Sequence, residues 1–468
     1  MKINRTGEIA RRTFLQRMGQ LGLAGVATPW AVNLAAISEA AADTAQSNSD
    51  YKALVCIFLY GGNDNGNTVI PCDATGHADY TTVRGAVAIP RDDLAGTQLA
   101  PTLDGGRQYA LAPTLSALKP LFDDGTLAVQ LNVGPLIQPT TLDQYKKRSV
   151  PLPPKLFSHN DQQSVWQSSQ AEGAVRGWGG TLGDLALSGN GRQLFTCVSV
   201  TGNAVFLSGE QALSYQIGTG GPVAIKSATT NLYGSAACSA ALRQLITEER
   251  GQILEYEYNR TTVRALESYD ALTGAIAGNA TSFDADLPDK DAAASSLPLN
   301  RQLKMVARLI DAQSRLGMKR QVFLVSLGGF DNHDNLNTRH REQLRQLAVG
   351  MSGFRQAMKS IGLDRNVTTF TASEFGRTMK SNGDGSDHGW GSTHFVTGGA
   401  VNGGKFYGTP PQILLGGQED TGQGRLLPST SVAQYAATMA SWFGVSNSDL
   451  ALVAPEIVNF STRNLGFV

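Results

Sequence analysis

Residues 53–60 read ALVCIFLY, an unbroken apolar run of strand length, rich in the branched and aromatic residues that suit a buried strand. Residues 127–133 (LAVQLNV), 194–200 (LFTCVSV), 321–327 (QVFLVSL) and 366–372 (NVTTFTA) repeat the type. Between the last two, residues 337–363 carry apolar side chains at helical spacing. Similar patterns over residues 111–122 and 299–316 predict two more helices. Apolar strands alternating with amphipathic helices predict an α/β fold, a central and mostly parallel sheet with helices on both faces. Residues 201–221 read as an irregular, glycine-rich part of a cap, and residues 273–296 as loop or weak helix within the same domain.

The polar residues that follow these strands matter most. After the first comes GGNDNGN with Asp64. After the 321–327 strand comes GGFDNHDN with Asp331, His333 and Asp334, and after the 366–372 strand comes SEFGRT with Glu374 and Arg377. Residues 383–395, GDGSDHGWGSTHF, then supply Asp387, His388 and His394 from a stretch too glycine-rich to read as helix or strand. In open α/β sheets the ligand crevice lies beyond the carboxyl ends of the strands, so three strands deliver acids and histidines to one edge. An aspartate after a strand also serves as a turn former, and residues 383–395 also fit a polar surface turn. As ligands, mixed carboxylates and imidazoles suit zinc, manganese or iron, with calcium or magnesium favoured only where carboxylates dominate.

Composition narrows the function classes. Hydrophobic residues make up 41% of the 468 and charged residues 17%, which fits a globular chain. Residues 10–18, ARRTFLQRM, lead into a weakly apolar stretch and a small-residue segment, resembling a twin-arginine export signal cleaved near residue 42. Residues 43–468 are then one domain, destined for the periplasm after contact with the twin-arginine translocase. Taking the five Lys/Arg and two Asp/Glu of residues 1–42 from 39 of each leaves 34 positive and 37 negative charges, a net of about −3. No basic run suggests nucleic acid, and no later apolar stretch is long enough for an integral membrane segment. Four cysteines without C-x-x-C spacing argue against a zinc ribbon, and their spacing assigns no disulfide.

Residues 150–169, VPLPPKLFSHNDQQSVWQSS, place Ser158 at a helix start, three residues before Asp161. That spacing has the form of a capping box, and the same geometry sets a hydroxyl in the positive field that favours a nucleophile or a bound anion. His159 fits a helix-start surface group slightly better than a site residue.

The leader, LVCIFLYGGNDNGNTVIP, SHNDQQSVWQSS, GGFDNHDN, SEFGRT and DHGWGSTHFVTGGAVNGGKFYG together resemble the exported domain-of-unknown-function family numbered fifteen hundred and one. Through that family the chain is similar to the alkaline-phosphatase-like superfamily of sulfatases, phosphodiesterases and cofactor-independent phosphoglycerate mutases. The resemblance implies two metal ions and a Ser or Thr nucleophile at a helix start. It implies Asp64 as the first metal aspartate, Ser158 as the nucleophile position, and Asp331 with His333 as the later ligand pair, here separated by one residue rather than three. Where the superfamily shows Thr-Ala-Asp-His-Gly, this chain has TASEFG, placing Glu374 at the aspartate and Phe375 at the histidine. A phenylalanine binds no metal, so Asp387 and His388 replace the missing ligand, with His394 as a final histidine, or one metal site is lost.

The expected function is an exported, metal-dependent hydrolase of a small anionic phosphate or sulfate ester, with a glycan as a further substrate class. The metal would polarise the ester. Arg377 would grip the anion, or form a salt bridge behind the sheet. The alternative is a non-catalytic protein on the same fold that binds an anion, glycan or protein partner. An exported oxidoreductase ranks last, because no G-x-G-x-x-G follows the first strand.

Overall fold

A computed structural model describes residues 50–279 and 281–468. The stretch expected to be a twin-arginine leader lies outside these residues. Thirteen strands follow in chain order: β1 Lys52–Leu59, β2 Val69–Pro71, β3 Tyr109–Leu111, β4 Leu127–Gly134, β5 Cys197–Ser199, β6 Ser214–Gln216 and β7 Arg320–Leu327. After these come β8 Val367–Ala372, β9 Arg377–Ser381, β10 Ser386–His388, β11 Ser392–Thr397, β12 Lys405–Tyr407 and β13 Thr430–Ser431. Nine of them make one sheet in the order β12-β4-β11-β8-β1-β7-β5-β6, with β13 paired to β4. Only β11 runs against its neighbours, antiparallel to β4 and β8. The other pairs are parallel, so the expected α/β class holds.

β1 shows why the sheet is central. Ala53, Val55, Ile57 and Leu59 enter one apolar cluster with the helices Pro298–Asp311 and Leu336–Ser360. The alternate residues Leu54, Cys56 and Phe58 enter the opposite cluster with the helices His159–Ser168, Trp178–Ala186 and Val432–Phe443. Side chains alternate along a strand, so a continuous apolar run is satisfied only when both faces are covered.

Several local expectations change. Residues 111–122 form no single helix: β3 ends at Leu111, a 3-10 turn covers Pro113–Leu118, and a short helix Lys119–Asp123 follows. The prolines at the starts of both pieces lack an N–H and break the run. The 194–200 strand shortens to β5, because Gln193–Phe195 forms a 3-10 turn. Residues 273–277 end a 25-residue helix, Ile253–Ala277, that the apolar pattern does not announce. β6, inside the expected cap region, joins the sheet as an edge strand. The stretch 383–395 contains β10 and the start of β11, where the expectation was neither helix nor strand. All four cysteines are free thiols.

Candidate metal centre: a carboxylate and three imidazoles at the sheet edge

β1, β7 and β8 run parallel in register, so their carboxyl ends meet at one edge. The turn after β1 is locked there. Gly61 has φ of +116°, and a Cβ on it would lie 2.3 Å from the Asp331 backbone nitrogen, so only glycine lets the β1 and β7 turns touch. The Gly61 N–H donates to Glu374 Oε1 at 2.9 Å, and its carbonyl accepts from Arg377 Nη1 at 3.1 Å. Ser373 Oγ donates to Leu59 O at 2.8 Å and accepts from the Asn63 N–H at 2.9 Å, tying β8 to β1.

Three imidazoles surround the Asp331 carboxylate. His159 Nε2 is 3.4 Å from Oδ2, while His333 Nε2 and His388 Nε2 are 3.0 and 3.2 Å from Oδ1. Each ring uses its other nitrogen on a group that can only accept. His159 Nδ1 meets Glu374 Oε1 at 2.9 Å, His388 Nδ1 meets the Phe157 carbonyl at 2.8 Å, and His333 Nδ1 meets Asp387 Oδ1 at 3.1 Å. In every case Nδ1 must carry the hydrogen, which leaves Nε2 of the neutral ring as a lone pair. Three lone pairs therefore point at one carboxylate, with His333 Nε2 only 3.1 Å from His388 Nε2. Acceptors face acceptors unless protons or a cation stand between them.

The donor set fits a metal ion. One ligand atom from each of His159, Asp331 and His388 lies within 4.8 Å of the others. His159 Nε2 is buried and has no hydrogen-bond partner, as is Glu374 Oε2 behind it. A ligating histidine with its second N–H held by a carboxylate or carbonyl is the usual outer support of a metal site. Glu374 holds the His159 ring in that way. Its Oε1 also accepts from Gln163 Nε2 at 3.0 Å, and the residue is fully buried. Phe375, which binds no metal, packs its ring 4.8 Å from His388 and 4.9 Å from His159, as an apolar wall for both.

The electrostatics follow from the neighbours. Hydrogen bonding to Glu374 raises the His159 pKa against the lowering effect of burial. Burial lowers that of His388, more than the Phe157 carbonyl restores. Burial alone would raise the Asp331 carboxyl, but the Arg377 guanidinium, 2.5 Å away at Nη1, holds it below the usual carboxylate range. Asp331 is thus a carboxylate at neutral pH, the form that binds cations.

The expected residues divide. Asp331, His333, Glu374, Arg377, Asp387 and His388 come together. Asp387 and Glu374 hold histidines rather than face the centre. Arg377 is a buried salt bridge, its donors spent on Asp331, Gly61 O, Ser386 O and Ser386 Oγ, which leaves no fork for an outside anion. Asp64 is corrected from ligand to buried anchor. Its Oδ1 accepts from the Asn67 N–H at 3.0 Å, and its Oδ2 accepts from Arg84 at 2.9 Å and Ser386 Oγ at 2.7 Å. Burial would raise its pKa, but Arg84, His340 and Ser386 lower it. It reaches the cluster only through Ser386, which also contacts Arg377.

His394 is likewise corrected. It sits in β11 with Nδ1 3.4 Å from Thr371 Oγ1, between the Trp166 and Tyr435 rings at 5.8 and 5.7 Å, and is fully buried. A position inside the sheet points its ring into the core. Ser158 caps no helix N–H; its hydroxyl donates to Asp161 Oδ2 at 2.8 Å instead. That hydroxyl bonds to no residue of the cluster. His159, read as a surface group, is the residue the sequence reading missed. The signal was available: His159 and Gln163 are four apart on one helix, and both reach Glu374.

Solved structures with a likeness to the chain include Ps i-CgsB in complex with k-i-k-neocarrahexaose (9% identity, 88% of this chain and 77% of that chain, TM-score 0.35). A second structure of Ps i-CgsB gives 11% identity over 88% and 77%, with a TM-score of 0.33. A third, from work on the metabolism of multiple glycosaminoglycans by Bacteroides thetaiotaomicron, gives 12% over 89% and 76%, also with 0.33. TM-scores this low leave function to be argued from the site itself. No curated protein matches the chain. The family model described as "Protein of unknown function (DUF1501)" matches residues 51–450, so the chain belongs to the DUF1501 family.

Proposed function

We propose that this protein is an exported hydrolase of phosphate or sulfate esters that uses a divalent ion held by His159, Asp331 and His388. The observation that carries the reading is the convergence of three imidazole Nε2 atoms on one carboxylate at the carboxyl edge of a parallel sheet. When bound, the ion would polarise an ester oxygen and lower the pKa of a bound water or hydroxyl. Glu374 and the Phe157 carbonyl fix the His159 and His388 rings, so little reorganisation accompanies binding. Arg377 keeps Asp331 ionised. His333 is half-exposed and hinged on Asp387, which suits it to exchange a proton with a reacting oxygen at Nε2.

The leader resembles an export signal, so we infer that the activity is periplasmic. Among the described residues no helix is long and apolar enough to cross a membrane. The resemblance to the alkaline-phosphatase-like superfamily belongs to the same proposal, with one ion-holding set supported rather than two. Turnover of 4-nitrophenyl phosphate and 4-nitrophenyl sulfate by the metal-loaded protein tests it. Hydrolysis of either ester that disappears in His388→Ala supports the reading, and a loaded protein inert to both counts against it.

A second reading, a non-catalytic anion or glycan binder, draws on Ser158 and Arg377. The Ser158 hydroxyl is engaged by Asp161 and the Arg377 donors are used internally. The hydroxyl is therefore not poised as a nucleophile, and an anion would have to be held by groups other than Arg377. Ion binding without turnover would favour this reading.

A further inference from the structure

Beside the cluster lies a cavity of about 600 Å³ whose lining includes Tyr145, Lys146, Arg148, Lys155 and Phe157. It shares a wall with the candidate metal centre. The Phe157 carbonyl holds His388, and Phe157 is followed directly by Ser158 and His159. Among the described residues Lys146 and Arg148 form no ion pair, and Lys155 has only a 3.4 Å contact to Asp161. Three exposed cations therefore line a cavity that is joined to the cluster through Phe157, whose carbonyl holds His388.

The backbone carrying them is strained. Arg148, Lys155 and Phe157 have φ of +50°, +41° and +71°, a left-handed region that non-glycine residues rarely adopt. Glycine would suit each position better, and Arg148 ends the helix Leu142–Lys147 where glycine is the usual choice.

We propose that this groove is a subsite for an oligosaccharide bearing several sulfate or phosphate groups, one of which reaches the cluster while others lie along Lys146, Arg148 and Lys155. The inference rests on the ester-hydrolase reading for the role of the cluster, and adds the substrate class. Guanidinium and ammonium groups match the tetrahedral anions, and the half-buried Tyr145 ring offers an apolar surface for a sugar ring, while the Phe157 ring is already covered by the Arg425 guanidinium at 4.9 Å. Three cations on a mature chain of net charge about −3 suit a ligand with a few anionic groups better than a nucleic-acid backbone.

The test is calorimetric binding of a heparin-derived hexasaccharide to the metal-loaded full chain and to the double variant Lys146→Glu/Arg148→Glu. The exposed positions should leave the melting midpoint in place. At least a tenfold loss of affinity in the variant is expected, together with a marked weakening of parent binding as salt is raised. Unchanged affinity in a folded variant overturns the subsite. Tighter parent binding to an inorganic polyphosphate of matched charge overturns its assignment to a glycan. Aryl-ester turnover is measured separately on the parent. Hexasaccharide binding at the groove without turnover would sink the hydrolase reading and leave the subsite standing.

Discussion

Glu374 Oε1 and His159 Nδ1 meet at 2.9 Å across 215 positions of sequence, the acid from the turn after β8 and the base from the first residue of a helix. The same oxygen accepts from Gly61 and Gln163, so one carboxylate aligns a ligand ring and closes the β1 turn. Replacing Glu374 with alanine leaves one buried donor, the Gly61 N–H, and two half-buried ones, on His159 and Gln163, without this acceptor. Hydrogen bonds to charged groups are worth about 1.5–3 kcal/mol each, and they do not add fully. The variant should lose roughly 2–4 kcal/mol in urea denaturation, and metal affinity should fall about 10–100-fold through loss of support for His159. Stability and affinity both equal to the parent would remove Glu374 from the account.

Asp64 separates anchor from ligand. Both it and Arg84 are fully buried, and removing one member of such a pair costs about 3–5 kcal/mol. Arg84→Met and Asp64→Asn should therefore both destabilise strongly, because the amide oxygen can still accept from Asn67 while its NH2 turns toward Arg84, which is left as an unpaired buried charge. Atomic-emission analysis of folded Asp64→Asn should give the parent's metal content. A metal-free but stable variant would return Asp64 to the ligand set.

Two buried histidines set an acid limit. Burial lowers His340 to about 4 and His394 to about 3. Unfolded histidine titrates near 6.5, so as pH falls below that value the unfolded chain takes up protons that the folded chain refuses. Their contribution is complete above about pH 6.5 and is lost progressively as pH falls toward 4 and then 3. Urea midpoints should decline across that window, by a total on the order of a few kcal/mol. His394→Leu should flatten the decline, and a curve as steep as the parent's would contradict the burial argument.

Export is tested through the leader. Replacing Arg11 and Arg12 together with lysine should hold the precursor in the cytoplasm, as read by fractionation and immunoblotting. An undiminished periplasmic yield would show that another signal carries the chain.

The sheet was legible because strands buried on both faces must be apolar throughout, and the runs at residues 53–60, 127–133, 321–327 and 366–372 have no other economical reading. The edge was legible as well, since polar residues after parallel strands converge whatever the helices do. What stayed hidden depended on side-chain direction. His394 carries the same sequence signal as His388, six positions earlier. One lies in the sheet between Trp166 and Tyr435, the other on a two-stranded ribbon facing Asp331. Asp64 and Asp331 both follow strands and both pair with a buried arginine, yet Asp64 is itself fully buried while Asp331 keeps a side chain 43% exposed among three imidazoles. His159 was undervalued because its partner Glu374 lies far off in sequence. Short strands in residues 383–395 were missed because β11 is placed by pairing with β4 and β8, not by its own glycine-rich surroundings.

The central claim is that His159, Asp331 and His388 hold a divalent ion. Its most direct test is the metal content of the purified parent, His159→Ala and His388→Ala after equilibration with zinc or manganese, read by atomic emission beside the melting midpoint. Metal binding to the folded state raises the midpoint by mass action. The parent should hold close to one equivalent and melt higher with metal than without, and each variant should lose both the ion and the shift. A parent that binds no metal, or variants that bind and melt as it does, would contradict the account.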